Sequence, residues 1–382
     1  MFTRRSLGRT LAVTLLTVVL AACKVVPDSR PGPAPVPSPT PSADELPTDT
    51  ARHRVALLVP LSGDNAAVGR SIANATTMAL LDTNAENLRI TTYDTATGAG
   101  TAAANAIRDG NKLILGPLLR EDVSSVLARA RPADVPLITF SNDTSVAAPD
   151  VFVMGHVPEQ SVTRTVAYAS QQGARRFAAL VPNGDYGRRT SEALSRSVAG
   201  IGGTVTRVEN YDRSNTSIVS AAERLKAAGG YDAVLIAEGP RLAAMAAGPL
   251  REGGTRVYLL GTELWSGEAS VANTPSLRGA WFSAVSDSRY RQFATSYESR
   301  FGEQPFRVAT LGYDAVLLTL RIARDWQPGR NFPVGRMLAE DGFLGLDGPF
   351  RFRSNGIGER AMEVRQVGNG TVTVVDAAPT RF

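Results

Sequence analysis

The sequence predicts an α/β protein of two lobes, each a parallel sheet wound on both faces by helices. Three observations predict it. From Arg54 onward, short apolar runs alternate with longer amphipathic stretches, the pattern of parallel βαβ units with right-handed crossovers. The alternation lapses after Thr139 and restarts near Arg176. The two starts are also alike: Ala56-Leu57-Leu58-Val59-Pro60 with Gly63-Asp64 and Gly69-Arg70 matches Ala179-Leu180-Val181-Pro182 with Gly184-Asp185 and Gly187-Arg188.

Arg54-Val55-Ala56-Leu57-Leu58-Val59 is an apolar run of the kind a strand covered on both faces requires. The pattern then predicts a helix over 74–81, a strand over 88–93, a helix over 101–109 and a strand over 112–116. A helix over 122–130 and a strand over 135–139 follow. After the restart, strands are expected over 177–181, 203–208, 231–237 and 257–260, separated by helices over 189–198, 218–228 and 242–250. Beyond Trp281-Phe282 come helical stretches over 290–301 and 308–326. The chain closes on strands of antiparallel character over 349–352, 361–367 and 371–375, the last after the turn signal Gly368-Asn369-Gly370. Late helices thus complete one lobe and a late hairpin the other, so the chain crosses between them more than once. The expected division is 53–156 with about 285–345 for the first lobe, and 157–284 with about 346–382 for the second.

Ahead of the lobes lie two segments of different texture. Residues 1–22 carry Arg4, Arg5 and Arg9, an apolar stretch from Leu11 to Leu20, and small residues before Cys23. This is the layout of an export signal, and the apolar run is about half the roughly 20 residues of a membrane span. Thr3-Arg4-Arg5-Ser6-Leu7 is similar to a twin-arginine signal, and a general secretory route remains equally open. Leu20-Ala21-Ala22-Cys23 resembles the lipobox of bacterial lipoproteins, which implies a diacylglycerol on Cys23, removal of 1–22, and a mature protein anchored on the periplasmic side of a membrane. Residues 23–52 hold the run Arg30-Pro31-Gly32-Pro33-Ala34-Pro35-Val36-Pro37-Ser38-Pro39-Thr40-Pro41. Such a chain has nothing to pack into a core and is held extended by its prolines. It reads as a tether with a maximal reach of about 90 Å, at about 3.1 Å per residue over roughly 29 residues.

Cys23 is the only cysteine, so no internal disulfide can form and stability must come from burial and hydrogen bonds. Apolar content of 43% and charged content of 20% are those of a globular protein. The net charge of +5 falls to +2 once the three signal arginines are removed. With no basic block interleaved with aromatics, that balance points away from nucleic acid.

In open parallel sheets, ligands bind beyond the carboxyl ends of the strands, where helix N-termini offer unpaired N–H groups. The loops in that position supply the candidate contacts. They are Ser62 and Gly63 after the first strand, Arg120 and Glu121 after the third, Ser141 and Asn142 after the fourth, and Tyr186, Glu263 and Trp265 in the second lobe. Small hydroxyl and glycine residues suit anion or amide contacts, and Tyr186 and Trp265 suit stacking on a ligand. The same residue types also serve as ordinary caps of strand-to-helix turns, and Arg120 with Glu121 equally suits a local ion pair. Catalysis finds little support. The two histidines, His53 and His156, stand apart, no His or Cys cluster has metal spacing, and neither a Gly-x-Ser-x-Gly elbow nor a phosphate loop is present. Paired carboxylates of the hydrolase kind stay open on residue types alone, but no enzyme, metal or cofactor is expected.

Taken together, the chain resembles the type I periplasmic binding proteins of the leucine/isoleucine/valine-receptor group. The resemblance rests on Val59-Pro60-Leu61-Ser62-Gly63, Asp185-Tyr186-Gly187, Gly261-Thr262-Glu263 and Leu311-Gly312-Tyr313-Asp314-Ala315. It implies two α/β lobes joined by three crossings around a hinged cleft. By position Tyr186 and Glu263 match the family's ligand contacts, with Glu263 suited to an α-ammonium and Arg120 to a carboxylate. Leu115-Gly116-Pro117-Leu118-Leu119 looks most like the penicillin-binding protein activators, lipoproteins that stimulate a bifunctional peptidoglycan synthase. Some of these carry a helical-repeat domain where this chain has its tether. Lys24 after Cys23, with no Asp to hold the protein at the inner membrane, implies the outer membrane by analogy. The alternative that the resemblance implies is a solute receptor for amino acids or related small polar ligands, partnered by the permease of an ABC importer.

Overall fold

A computed structural model describes residues 51–213, 216–252, 254 and 257–380. The export signal, Cys23 and nearly all of the tether lie outside the described residues.

The first lobe is built from β1 (His53–Val59), α1 (Ala66–Asp82), β2 (Leu88–Asp94), α2 (Ala99–Arg108), β3 (Ile114–Leu115), α3 (Arg120–Ala130), β4 (Leu137–Thr139) and β5 (Val151–Val153). Its sheet is parallel, in the order β2-β1-β3-β4-β5. Because side chains alternate across a strand, β1 serves two cores. Val55, Leu57 and Val59 face Ile72 of α1 on one side, while Ala56 and Leu58 face Ala102 of α2 and Val126 of α3 on the other.

The second lobe follows with α4 (Pro158–Gln171), β6 (Arg176–Pro182), α5 (Asp185–Gly200), β7 (Thr204–Tyr211), α6 (Ser217–Ala228), β8 (Ala233–Ile236), α7 (Pro240–Arg251), β9 (Tyr258–Leu260), α8 (Ala269–Ala272) and β10 (Trp281–Ala284). The same division recurs at β6. Phe177, Ala179 and Val181 pack on Val166 of α4 and Leu194 of α5, whereas Ala178 and Leu180 pack on Leu225 of α6 and Ala243 of α7.

The chain then returns to the first lobe as α9 (Ser288–Phe301), α10 (Ala309–Ala323), β11 (Phe343–Gly345), β12 (Gly348–Phe352) and β13 (Gly358–Arg360). Leu311 and Val316 of α10 complete the core over β1, and β11 to β13 form a small antiparallel sheet. A last crossing leads to β14 (Glu363–Val367) and β15 (Val372–Asp376). These extend the second sheet to the order β15-β14-β10-β9-β8-β6-β7, with β14 antiparallel to both neighbours and the rest parallel.

The expected division needs correcting at its last boundary. Phe343, Phe350 and Phe352 are buried in the first lobe's core, and Ile357 bridges to Val153. The final crossing therefore falls after Arg360 and not near 346. Three aromatic side chains on one strand pair need an apolar partner face, and the face of β1 with α10 supplies it. Two elements between the lobes were also absent from the sequence reading: β5, only three residues long, and α4, whose Val162, Val166 and Ala169 recur at helical spacing behind Pro158 at the first helical position.

Candidate functional site

The carboxyl ends of β1, β3 and β4 face those of β6 and β9 across a cavity of about 660 Å³. Arg120, the first residue of α3, reaches over it. Its Nη1 donates to Asp143 Oδ2 at 2.8 Å in its own lobe and to Asp185 Oδ2 at 2.7 Å at the start of α5 in the other. The Arg120–Glu121 ion pair left open above is not formed, because Asp143 and Asp185 take the guanidinium while Glu121 faces solvent on the cavity rim. Burial alone would raise the Asp143 carboxyl, but hydrogen bonds from Ser145 and the charges of Arg189 and Arg120 outweigh it and hold Asp143 below the usual carboxylate range.

A second tie crosses the cleft deeper down. Arg189 of α5 is almost wholly buried and grips both Glu159 oxygens at 2.7 Å through Nε and Nη2. Its Nη2 also donates to the Asn142 carbonyl oxygen at 2.6 Å in the opposite lobe. Such a fork of charged hydrogen bonds sets geometry as well as energy. Asn142 therefore contributes its backbone, while its side chain is exposed. Ser141 is buried, its Oγ accepting from the Asp143 N–H at 3.1 Å.

On the second-lobe wall, Tyr186 Oη donates to Glu263 Oε1 at 3.0 Å and shares a hydrogen bond with Thr262 Oγ1 at 2.9 Å. Glu263 Oε2 is buried without a hydrogen-bond partner. Burial is the main reason that the Glu263 carboxyl is pushed up to about 7, with the nearby Glu159 charge adding to it. Burial first and the Glu263 charge second also drive the Tyr186 phenol well above its ordinary value.

Three expected contacts lie elsewhere. Ser62 Oγ donates to Asp94 Oδ2 at 2.9 Å and the Leu61 N–H to Asp94 Oδ1 at 2.8 Å, so Ser62 and Gly63 are drawn toward the end of β2 and leave the cavity wall to Asn65 and Val68. Trp265 is 1% exposed and sits in the second lobe's core. Its indole N–H donates to the Glu238 carbonyl at 2.8 Å, and its ring lies where a side chain at Gly261 would stand. It does not line the cavity. Asp143, Asp185, Arg189 and Glu159, which build both ties, were missed as site residues. Asp185 and Arg189 stand one helical turn apart on α5, a spacing that shares a face and was there to be read.

At the hinge floor a set of charges is largely buried, with His156 and Arg307 on the cavity lining and Asp347 and Asp314 fully enclosed. Asp347 accepts from Arg307 Nη1 at 2.7 Å and Thr310 Oγ1 at 3.0 Å and pairs with His156 Nε2 at 2.7 Å. Burial opposes ionisation of Asp347, but Arg307, His156 and Arg360 outweigh it and hold its carboxyl far below the usual range. Asp314 takes the opposite course. Burial, reinforced by Asp347, pushes it up to about 7, and its Oδ2 has no hydrogen-bond partner. Burial likewise lowers the His156 imidazole in spite of Asp347.

A family model described as periplasmic binding protein matches residues 53–371. The chain belongs to the periplasmic binding protein family. Among curated relatives, this periplasmic binding protein is 27% identical over 173 residues to uncharacterized protein RP748 of Rickettsia prowazekii, covering 45% of this chain and 46% of the relative. It is 27% identical over 149 residues to the penicillin-binding protein activator LpoA of Glaesserella parasuis, covering 38% of this chain and 25% of the relative. It thus spans less than half the length of the curated relatives it matches. Among solved structures, the leucine binding protein LivK of Thermotoga maritima superposes with a TM-score of 0.63 at 21% identity, covering 85% of this chain and 98% of that one. The C-domain of LpoA from Haemophilus influenzae, a regulator of PBP1A, superposes at 0.67 with 20% identity, covering 84% of this chain and 99% of that one. Both share the bilobed fold. Among the described residues no helix is long and apolar enough to cross a membrane.

Proposed function

We propose that this chain is a non-catalytic periplasmic module, anchored through lipid on Cys23 to the outer membrane, that activates a penicillin-binding protein of the peptidoglycan synthase type. The observation that carries this reading is that the cleft is tied by the protein's own side chains. Arg120 joins Asp143 to Asp185, and Arg189 joins Glu159 to the Asn142 carbonyl. In a receptor, the position of Arg120 would be free to receive a ligand carboxylate. Here it is spent on two aspartates, which suits a scaffold read by its outer surface. The sequence likeness to LpoA supports the same partner class. The test is recovery of a peptidoglycan synthase with the full-length chain from crosslinked envelopes, followed by assay of that synthase with and without the purified chain. Faster glycan polymerisation supports the proposal, and no recovery together with no stimulation ends it.

One observation favours a second reading, a receptor of an ABC importer. Glu263, which lines the cavity of about 660 Å³, keeps a buried oxygen without a hydrogen-bond partner beside Tyr186. An α-ammonium placed there would satisfy the carboxyl and lower its pKa. Thermal denaturation in the presence of amino acids and muropeptides decides it, since a ligand at 100 times its dissociation constant adds about 2.7 kcal/mol. A rise in Tm that is lost in Glu263→Gln supports the receptor, and no rise with any of them rejects it.

A further inference from the structure

A second groove, of about 610 Å³, shares no lining residue with the cleft. One wall comes from α4 and α5 of the second lobe and the other from β12 and β13 of the first. Arg164, Arg196, Arg351 and Arg353 line it, against Glu159 and Glu359. The carboxylates around it are already divided. Glu359 serves Arg351 at 2.8 Å and Arg353 at 2.7 Å, Glu192 serves Arg188 at 3.1 Å and Arg196 at 3.8 Å, and Glu159 turns both oxygens to Arg189. Arg353 and Arg196 remain 59% and 66% exposed at the rim. Between these cations the floor is apolar, with Ala167, Ala361 and Met362.

A guanidinium rim over an apolar floor complements a chain in which carboxylates alternate with apolar side chains. Each carboxylate can take an arginine in a fork geometry, and the apolar groups are removed from water between the lobes. We propose that this groove docks an extended acidic segment of a partner protein, its carboxylates on Arg196 and Arg353 and an apolar side chain against Met362. This goes beyond the choice between synthase and permease, and it stands or falls separately from it.

The test is fluorescence anisotropy at low salt, with the full-length chain and a fluorescein-labelled peptide of alternating Glu and Leu. The expected result is saturable binding, absent for the peptide with Lys in place of Glu. Combining Arg196→Glu with Arg353→Glu should weaken it at least about tenfold. Combining Arg129→Glu with Arg324→Glu, two exposed positions away from the groove, should leave it unchanged. All four side chains are exposed and the ion pairs lost at Arg353 and Arg196 are surface ones, so the variants should melt close to the parent, and melting curves check that. No binding of the acidic peptide, equal binding of the basic one, or equal loss in both variant pairs overturns the proposal. So does heparin binding more tightly than the peptide with the same dependence on Arg196 and Arg353, because the groove is then a general polyanion surface.

Discussion

In the first lobe, the carbonyl oxygen of Pro60 just past β1 lies 1.8 Å from where a side-chain carbon on Gly69 would stand. In the second, the carbonyl oxygen of Pro182 at the end of β6 stands at the same 1.8 Å from the equivalent point on Gly187. The two lobes use one device: a glycine in the first helical turn lets the helix settle against the carbonyl that ends the preceding strand. They differ in the loop between, since Gly69 follows Pro60 by nine residues and Gly187 follows Pro182 by five. The short loop delivers Asp185 and Tyr186 directly into the cleft, where Arg120 and Glu263 meet them. The longer one folds back on Asp94 and takes Ser62 with it. The same opening motif thus yields site residues in one lobe and a structural turn in the other, and loop length decides which.

The largest expected effect tests the shared device. Gly69→Ala and Gly187→Ala each drive a methyl group into backbone, which has no flexible side chain to yield. Each should cost about 3 kcal/mol, at the upper end for overpacking, read as a fall in the urea midpoint. Similar losses confirm that the lobes are equivalent at this point. A loss confined to one glycine would show that the other helix can shift, and the comparison would break.

Next in size is Arg189→Ala. It strips both charged hydrogen bonds from the half-buried Glu159 and the only cross-lobe donor to the Asn142 carbonyl recorded among the described residues. Losing one partner of a buried pair leaves the other charge uncompensated, so a loss of about 2–3 kcal/mol is expected. Arg189→Lys should recover only part of it, since an ammonium cannot reproduce the fork.

These sites also mark what the sequence could reveal. The apolar runs at β1 and β6 were legible because both faces of those strands are buried, and burial on two faces leaves no polar position in the run. The loops after β3, β4 and β6 were legible as a group because ligand-facing loops follow from sheet topology. What escaped was direction. Nothing in Leu61-Ser62-Gly63 says that the hydroxyl turns to Asp94, which is distant in sequence. Nothing in Glu263-Leu264-Trp265 says that the indole folds under Gly261 to reach the Glu238 carbonyl. Both depend on a partner supplied by another strand. The partition of residues 346–360 failed for the same reason, since an aromatic strand pair fits either sheet until the unfilled apolar face is known.

A smaller effect separates the cleft wall from the hinge floor by pH. Glu263 and Asp314 are both raised to about 7 in the folded protein, from ordinary values of 4.5 and 3.8. The folded state therefore holds these protons more tightly than the unfolded chain. The stability these two carboxyls contribute should fall as pH rises from about 4 to about 7 and level off above, against an opposing rise from His156 and His53, whose imidazoles are lowered by burial. Glu263→Gln should remove one share of that fall and Asp314→Asn the other, each on the order of 1–3 kcal/mol across the window. Thermal melts at several pH values read both. A Glu263→Gln profile that declines as steeply as the parent would place the titration at the hinge alone.

The smallest effect belongs to Arg120. Its guanidinium is half-exposed and Asp185 more so, which places their contact among surface ion pairs, typically worth under about 1 kcal/mol and screened by salt. Asp143 is itself buried, but when Arg120 is removed it keeps the Ser145 N–H and the nearby Arg189 charge, so its carboxylate is not left uncompensated. Arg120→Ala should therefore lower Tm far less than Arg189→Ala, and the difference from the parent should shrink as salt is raised. The two arginines reach across the same cleft, one at its rim and one within it, so only burial distinguishes them. If Arg120→Ala proved as costly as Arg189→Ala and insensitive to salt, the rim contact would be the true fastening of the lobes. Exposure would then be a poor guide to which tie holds the cleft shut.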